Sequence, residues 1–211
     1  MDGPTKEELL NELIKGGYLK TPRLVEAFRE IDRLDFVPKE LAHEACGNYP
    51  LPIGYGQTIS QPLTVAFMLE LLEPKAGEKI LDVGSGSGWT TALLACVVGE
   101  KGRVFAVERI EGLCRFGEAN VRKYNFVEKG IVKFLCGDGS RGLPEDAPFD
   151  KILAGAAALD DVPEEWKKQL KVHGRIVAPV LTSVVVLDKI GENKFKAREY
   201  FGFSFVPLVR D

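Results

Sequence analysis

Lys79-Ile-Leu-Asp-Val-Gly-Ser-Gly-Ser-Gly-Trp89 constrains the fold of this chain more than any other stretch. A short β-branched and apolar strand runs into three glycines alternating with serines, and an apolar helical pattern (Thr90 to Val98) follows. Strand, tight glycine loop and helix N-terminus in that order let backbone approach a nucleotide closely. The glycine spacing narrows the choice of nucleotide. A dinucleotide fingerprint needs its third glycine three residues after the second, and position 89 is Trp89. Here the glycines are Gly84, Gly86 and Gly88, with Asp82 inside the strand end. A loop this tight beside a carboxylate suits a cationic, phosphate-free ligand. S-adenosylmethionine is such a ligand, with a positive sulfonium and ammonium and a ribose that offers two hydroxyls. Glu108, at the end of the next apolar run, is placed to accept both hydroxyl protons.

The surrounding pattern predicts the fold class. Residues 5 to 44 read as helical pieces: Thr5 with Glu8 forms a capping box, Thr21-Pro22 opens a second helix, and Pro38 starts a third reaching Ala45. Residues 46 to 61 are rich in Gly and Pro and read as a loop, after which Pro62 opens a helix and Ser60 stands at its expected N-cap. Beyond the fingerprint, strands 103 to 107, 131 to 135, 150 to 154 and 175 to 180 alternate with helices, one over about 110 to 124 and one after Pro163. Strands at 183 to 190 and 194 to about 206 close the chain, with a turn at Gly191-Glu-Asn. The expected architecture is an α/β, doubly wound, Rossmann-like and mostly parallel seven-stranded sheet. It carries helices on both faces, an antiparallel C-terminal hairpin and an N-terminal helical cap. The expected organisation is one domain, 1–211, with N-terminal helices and loop (1–61), nucleotide-binding core (62–180) and closing hairpin (181–211). In such sheets ligands lie beyond the carboxyl ends of the strands, where the loops 84 to 88, 137 to 142 and 155 to 158 fall.

Composition excludes several classes of function. With 28 basic against 31 acidic residues the formal net charge is -3, which argues against electrostatically driven nucleic-acid binding. Asp, Glu, Lys or Gly interrupts every apolar run, so no membrane span is expected, and the polar N-terminus lacks a signal-peptide core. Cys46, Cys96, Cys114 and Cys136 are widely spaced and read as reduced, mostly structural thiols of a cytoplasmic protein. No metal site is expected from two isolated histidines, and His43, His173, Trp89 and Trp166 read as structural.

Four segments stand together in the order and spacing of one family. They are Pro50-Leu-Pro-Ile-Gly-Tyr-Gly-Gln-Thr-Ile-Ser-Gln-Pro62, the loop Leu81 to Gly88, Gly137-Asp-Gly-Ser140 and Gly155-Ala-Ala-Ala158. From about residue 5 to Phe205-Val-Pro-Leu208 the chain resembles protein-L-isoaspartate (D-aspartate) O-methyltransferases. The glycine loop alone would specify only a class I methyltransferase; Gly-Gln-Thr-Ile-Ser is the family-specific part. The resemblance implies S-adenosylmethionine as methyl donor, S-adenosylhomocysteine as product, and isoaspartyl-containing proteins and peptides as partners. The methyl ester formed would collapse to a succinimide, whose hydrolysis partly restores aspartate. The resemblance makes Ser60 the active-site residue, with Thr58, Ile59 and Ser60 lining the cofactor and substrate pocket. Asp82 and Gly84, Ser85, Gly86, Ser87 and Gly88 would face the methionine portion, Glu108 the ribose, and Asp138 with Gly139 the adenine. Gly155, Ala156 and Ala157 would let a peptide backbone approach. It would act as a monomer in the cytoplasm, without nucleic acid or membrane.

Two departures accompany the match. Leu159 stands where the family usually has proline, and Leu181-Thr-Ser-Val-Val-Val-Leu187 replaces a glycine-rich, glutamine-containing segment, predicting a shortened loop. The residues leave two other readings open: a related methyltransferase acting on another carboxylate or peptide, and a weakly catalytic cofactor-binding protein.

Overall fold

The computed structural model describes residues 3–209 and opens with the predicted helical cap. Helix α1 (Lys6–Lys15) starts at the capping box: the Glu8 amide donates to Thr5 Oγ1 and the Thr5 amide donates to Glu8 Oε2. Helix α2 (Pro22–Glu30) has Pro22 in its first turn; Thr21 does not cap it but donates its amide and hydroxyl to Glu70. The expected third helix is a 3-10 helix, Lys39–Glu44, and a second 3-10 turn at Arg33–Phe36 precedes it.

The segment read as a loop contains a small hairpin, β1 (Leu51–Gly54) with β2 (Gln57–Ile59). Its two-residue turn is Tyr55-Gly56, both at positive φ (55° and 70°), the backbone that matches strand twist in tight hairpins. Strands of four and three residues containing Pro52 are too short for alternation to show in sequence.

Helix α3 (Pro62–Leu72) leads into β3 (Lys79–Val83), which is followed by α4 (Trp89–Val98), β4 (Arg103–Glu108), α5 (Glu111–Arg122), β5 (Val132–Cys136) and β6 (Phe149–Ala154). After α6 (Glu164–Gln169) come β7 (Leu170–Val180), β8 (Ser183–Gly191) and β9 (Lys194–Phe201). The seven-stranded sheet has the order β5-β4-β3-β6-β7-β8-β9. β3 through β7 pair in parallel; β8 is antiparallel to both neighbours. The expected α/β architecture is therefore the observed one. β3 is central and covered on both faces, with Ile80 packing into one core and Leu81 and Val83 into the other. The chain leaves β3 toward β4 and later returns on the opposite side through β6, which creates the switch-point crevice beside β3.

Two further details depart from the sequence reading. β7 begins at Leu170, not 175, because His173-Gly174 is an irregularity within the strand: His173 has φ 68°, and the register with β6 shifts there. β9 ends at Phe201, and residues 203–209 run instead along the carboxyl end of the sheet, where Ala157 donates to Val206 and accepts from Leu208. The β7–β8 connection is indeed short, a two-residue turn at Leu181-Thr182.

The reading of all cysteines as reduced is also overturned. Cys114 in the first turn of α5 is bonded to Cys136 at the end of β5, while Cys46 and Cys96 are free thiols. Helix α5 packs over β4 and β5, which brings together two residues 22 positions apart; a search for short Cys-x-x-Cys spacing does not test such a pair. Among the described residues no helix is long and apolar enough to cross a membrane.

Candidate active site

The glycine loop is shaped by what its amides do. Gly84 and Ser85 donate to the Val107 carbonyl, Gly86 donates to Glu108 Oε2, and Gly88 donates to the Ser85 carbonyl. Four of the five amides in 84–88 are thus spent within the chain, leaving no nest of free N–H groups for a pyrophosphate. The pocket presents buried acid instead.

Glu108, at the end of β4 and buried, accepts from Gly86 at 2.9 Å on one oxygen and from the Ile110 amide at 2.9 Å on the other. Each carboxylate oxygen has further acceptor capacity, so a diol can be bound without displacing either amide. Asp82 is fully buried in β3 and accepts from Thr91 Oγ1 at 2.6 Å. Burial pushes its carboxyl up to about 6, opposed by the Thr91 hydrogen bond and reinforced by the charge of Glu108.

That shift carries a stability prediction. The folded carboxyl titrates near 6 and the unfolded one near the ordinary 3.8, so between those values the folded state binds more protons. Its contribution is therefore favourable at low pH and lost as pH rises through the window, at about 1.4 kcal/mol per pH unit. Asp82→Asn, whose amide oxygen still accepts from Thr91, should gain stability on the ligand-free wild type as pH rises from 4 to 7. Urea unfolding of both proteins across that range checks it; a difference independent of pH would show that Asp82 stays ionised throughout.

Small residues close the base of the crevice. Gly155 donates to Val83, and a Cβ on Gly155 would lie 2.9 Å from the Gly84 carbonyl oxygen, so the ends of β3 and β6 approach only as glycines. Asp138 caps a 3-10 turn (Gly139–Arg141), accepting from the Ser140 amide and hydroxyl. Buried Trp166 donates its indole N–H to the Gly139 carbonyl and so fixes this turn, a structural role as expected.

The other wall is the strap 57–60. Ser60 follows β2 and is not the cap of α3: the N-cap is Gln61, and the Leu63 amide is satisfied by Asn48 Oδ1. The hydroxyl of Ser60 is thus not needed by the helix.

Thr58, Ile59, Ser60, Asp82, Gly84, Ser85, Gly86, Ser87, Glu108, Gly139, Gly155 and Ala156 line one open cleft of about 1090 Å³, solvent space at its mouth included. Gly88, Asp138 and Ala157 stand outside its lining. At Gly88 (φ 84°) a Cβ would lie 2.7 Å from the Gly117 carbonyl oxygen, so this glycine lets α4 and α5 pack closely. Ala157 is occupied by the tail 206–208. The cleft also recruits Ile53, Trp89, Arg109, Ile110 and the tail residues Phe205 to Val209, which sequence reasoning passed over. The signal available for Ile53 was its place five residues before Thr58 in the same motif; Phe205 to Leu208 stood only as the end of the resemblance, with no role attached. Ser85 Oγ and Trp89 Nε1 are buried without a hydrogen-bond partner among the described residues, two polar atoms in the cleft lining with capacity to spare.

Comparison with known proteins gives the family. A family model for protein-L-isoaspartate(D-aspartate) O-methyltransferase matches residues 4–211. The protein-L-isoaspartate O-methyltransferase of Methanopyrus kandleri is 42% identical, over 97% of this chain and 91% of its own. That of Ignicoccus hospitalis is also 42% identical, over 98% of both chains. A provisionally assigned protein-L-isoaspartate O-methyltransferase of Plasmodium falciparum, solved with S-adenosyl-L-homocysteine, is 23% identical and superposes with a TM-score of 0.87. The alignment covers 99% of this chain and 100% of that one, which establishes the likeness of fold. Matched along nearly its whole length by both the family model and these relatives, the chain belongs to the protein-L-isoaspartate(D-aspartate) O-methyltransferase family.

Proposed function

We propose that this protein transfers a methyl group from S-adenosylmethionine to the free α-carboxylate of L-isoaspartyl residues in damaged proteins and peptides. The observation that carries the reading is that the strap bearing Ser60 and the acid-lined glycine loop form two walls of one cleft. Glu108 would hold the ribose hydroxyls, Asp82 and the loop 84–88 the methionine portion, and Gly139 beside the Asp138-capped turn the adenine. Residues 1–61, 62–180 and 181–211 would work as one unit, respectively carrying the strap, holding the cofactor and closing the sheet. The protein would act as a monomer.

The chemistry asks little of the protein in proton transfer. A substrate carboxylate has an ordinary pKa of ~4 and is ionised at neutral pH, so no general base is needed. When bound, S-adenosylmethionine supplies a methyl group on a sulfonium centre; the carboxylate–methyl bond forms as the methyl–sulfur bond breaks, and its electron pair stays with sulfur. The protein's part is to place one carboxylate oxygen in line and exclude water. Ser60 donates its hydroxyl to the carboxylate without the competition of a full ion pair. Asp82 and Glu108 repel an anion, so the substrate carboxylate docks favourably only after the cationic cofactor is in place.

Labelled S-adenosylmethionine and two peptides of identical sequence, one with L-isoaspartate and one with L-aspartate, test this directly. Base-labile methyl ester on the isoaspartyl peptide alone is the expected result. Cofactor binding with ester on neither peptide would overturn it and favour a different acceptor.

A further inference from the structure

Arg33 is 4% exposed and sits outside the cleft, in the 3-10 turn opened by Asp32. Burying a guanidinium is costly unless its donors are used; Nε finds no partner among the described residues, whereas both Nη groups converge on one segment. Nη1 donates to the carbonyls of Ala45 (2.8 Å) and Gly47 (3.2 Å); Nη2 donates to those of Tyr49 (3.0 Å) and Ser60 (3.2 Å). The acceptors lie toward the two ends of segment 45–60, so a single planar fork ties the stretch that leads into the strap to Ser60 at its end. The guanidinium also lies over the Trp89 ring, 5.4 Å from its centroid, at the start of the helix that follows the glycine loop. Arg33 thus touches both walls of the cleft from behind without entering it.

We infer that Arg33 is the positioning residue of the reaction: through the Ser60 carbonyl it fixes the strap so that Ser60 Oγ meets the substrate carboxylate. This rests on the methyl-transfer reading above. Burial lowers the guanidinium to about 10, still far enough above neutrality for it to remain charged and to donate from both ends. Lysine cannot replace it, because one ammonium on a flexible stem does not reach four carbonyls arranged around a plane.

The test is a double-mutant cycle of Arg33→Lys with Ser60→Ala, read with hydrogen exchange on the ligand-free proteins. Arg33→Lys should lower kcat/KM for the isoaspartyl peptide at least tenfold while the Kd for S-adenosylmethionine stays within about threefold of wild type. Adding Arg33→Lys to Ser60→Ala should cost almost nothing further, since Arg33 acts through Ser60. Exchange of amides in 45–60 should rise in Arg33→Lys, with the sheet strands unchanged. Additive losses, unchanged kcat/KM, or unchanged exchange in 45–60 would each overturn the inference. If Arg33→Lys does not fold, the cycle is run with Arg33→Gln, whose amide still reaches part of the set; if neither folds, Arg33 holds the fold and the positioning role falls. Should the wild type make no ester at all, the methyl-transfer reading fails on its own, while the exchange data still report whether Arg33 clamps the strap.

Discussion

Ser60→Ala should reduce kcat/KM for an isoaspartyl peptide by about 10- to 150-fold while the Kd for S-adenosylmethionine changes little. The magnitude follows from removing one hydrogen bond to a charged group, about 1.5–3 kcal/mol, at about 1.4 kcal/mol for each tenfold in rate. The structure makes this substitution unusually clean. Ser60 does not cap α3, so its loss leaves no helix amide orphaned, and the Ser60 carbonyl that Arg33 holds is retained. Stability should therefore be within about 0.5 kcal/mol of wild type, as for substitutions away from special features. The split between kcat and KM says when the hydroxyl acts. A fall in kcat at saturating peptide means it orients the carboxylate in the transition state; a rise in KM alone means it only holds the bound substrate. Unchanged turnover would remove Ser60 from the mechanism.

How far the sequence foretold this site depends on the range of each interaction. The β3 loop, Asp82 and Glu108 were legible because strand, turn and helix are local, and the acid after the next strand is fixed by one βαβ unit. The β1–β2 hairpin was not, because Tyr55 at φ 55° gives no turn signal as strong as Asn-Gly and its strands are too short to alternate. The Cys114–Cys136 bond, the tail at 205–209 and the convergence of Arg33 on 45–60 all depend on packing between segments distant in sequence. Ser60 shows a third case. Both of its sequence readings were sound locally, and a distant residue, Asn48, removes the capping one by supplying the bond to Leu63.

Glu108→Gln should damage cofactor binding as severely as Glu108→Ala, contrary to the usual expectation for an isosteric change. Both Glu108 oxygens already accept backbone N–H groups, from Gly86 and from Ile110. A side-chain amide has one acceptor oxygen and one NH2 with two donors, so either orientation of glutamine sets its NH2 against a backbone donor. The clash displaces the loop in the free protein, and restoring it for the ligand costs about 1–3 kcal/mol, to which the weakened hold on the ribose adds. A combined loss of about 3–4 kcal/mol corresponds to a Kd about 200- to 1000-fold higher. Because Gly86 belongs to the glycine loop, the displaced loop should also slow turnover at saturating cofactor. Calorimetric titration of both variants with S-adenosylmethionine and with S-adenosylhomocysteine measures the effect. Equal losses for the two ligands would place it at the ribose they share, whereas a loss confined to S-adenosylmethionine would mean that Glu108 acts through the sulfonium charge. Retention of wild-type affinity by Glu108→Gln would show that the carboxylate is not the ribose anchor and that the acid at the end of β4 serves the loop alone.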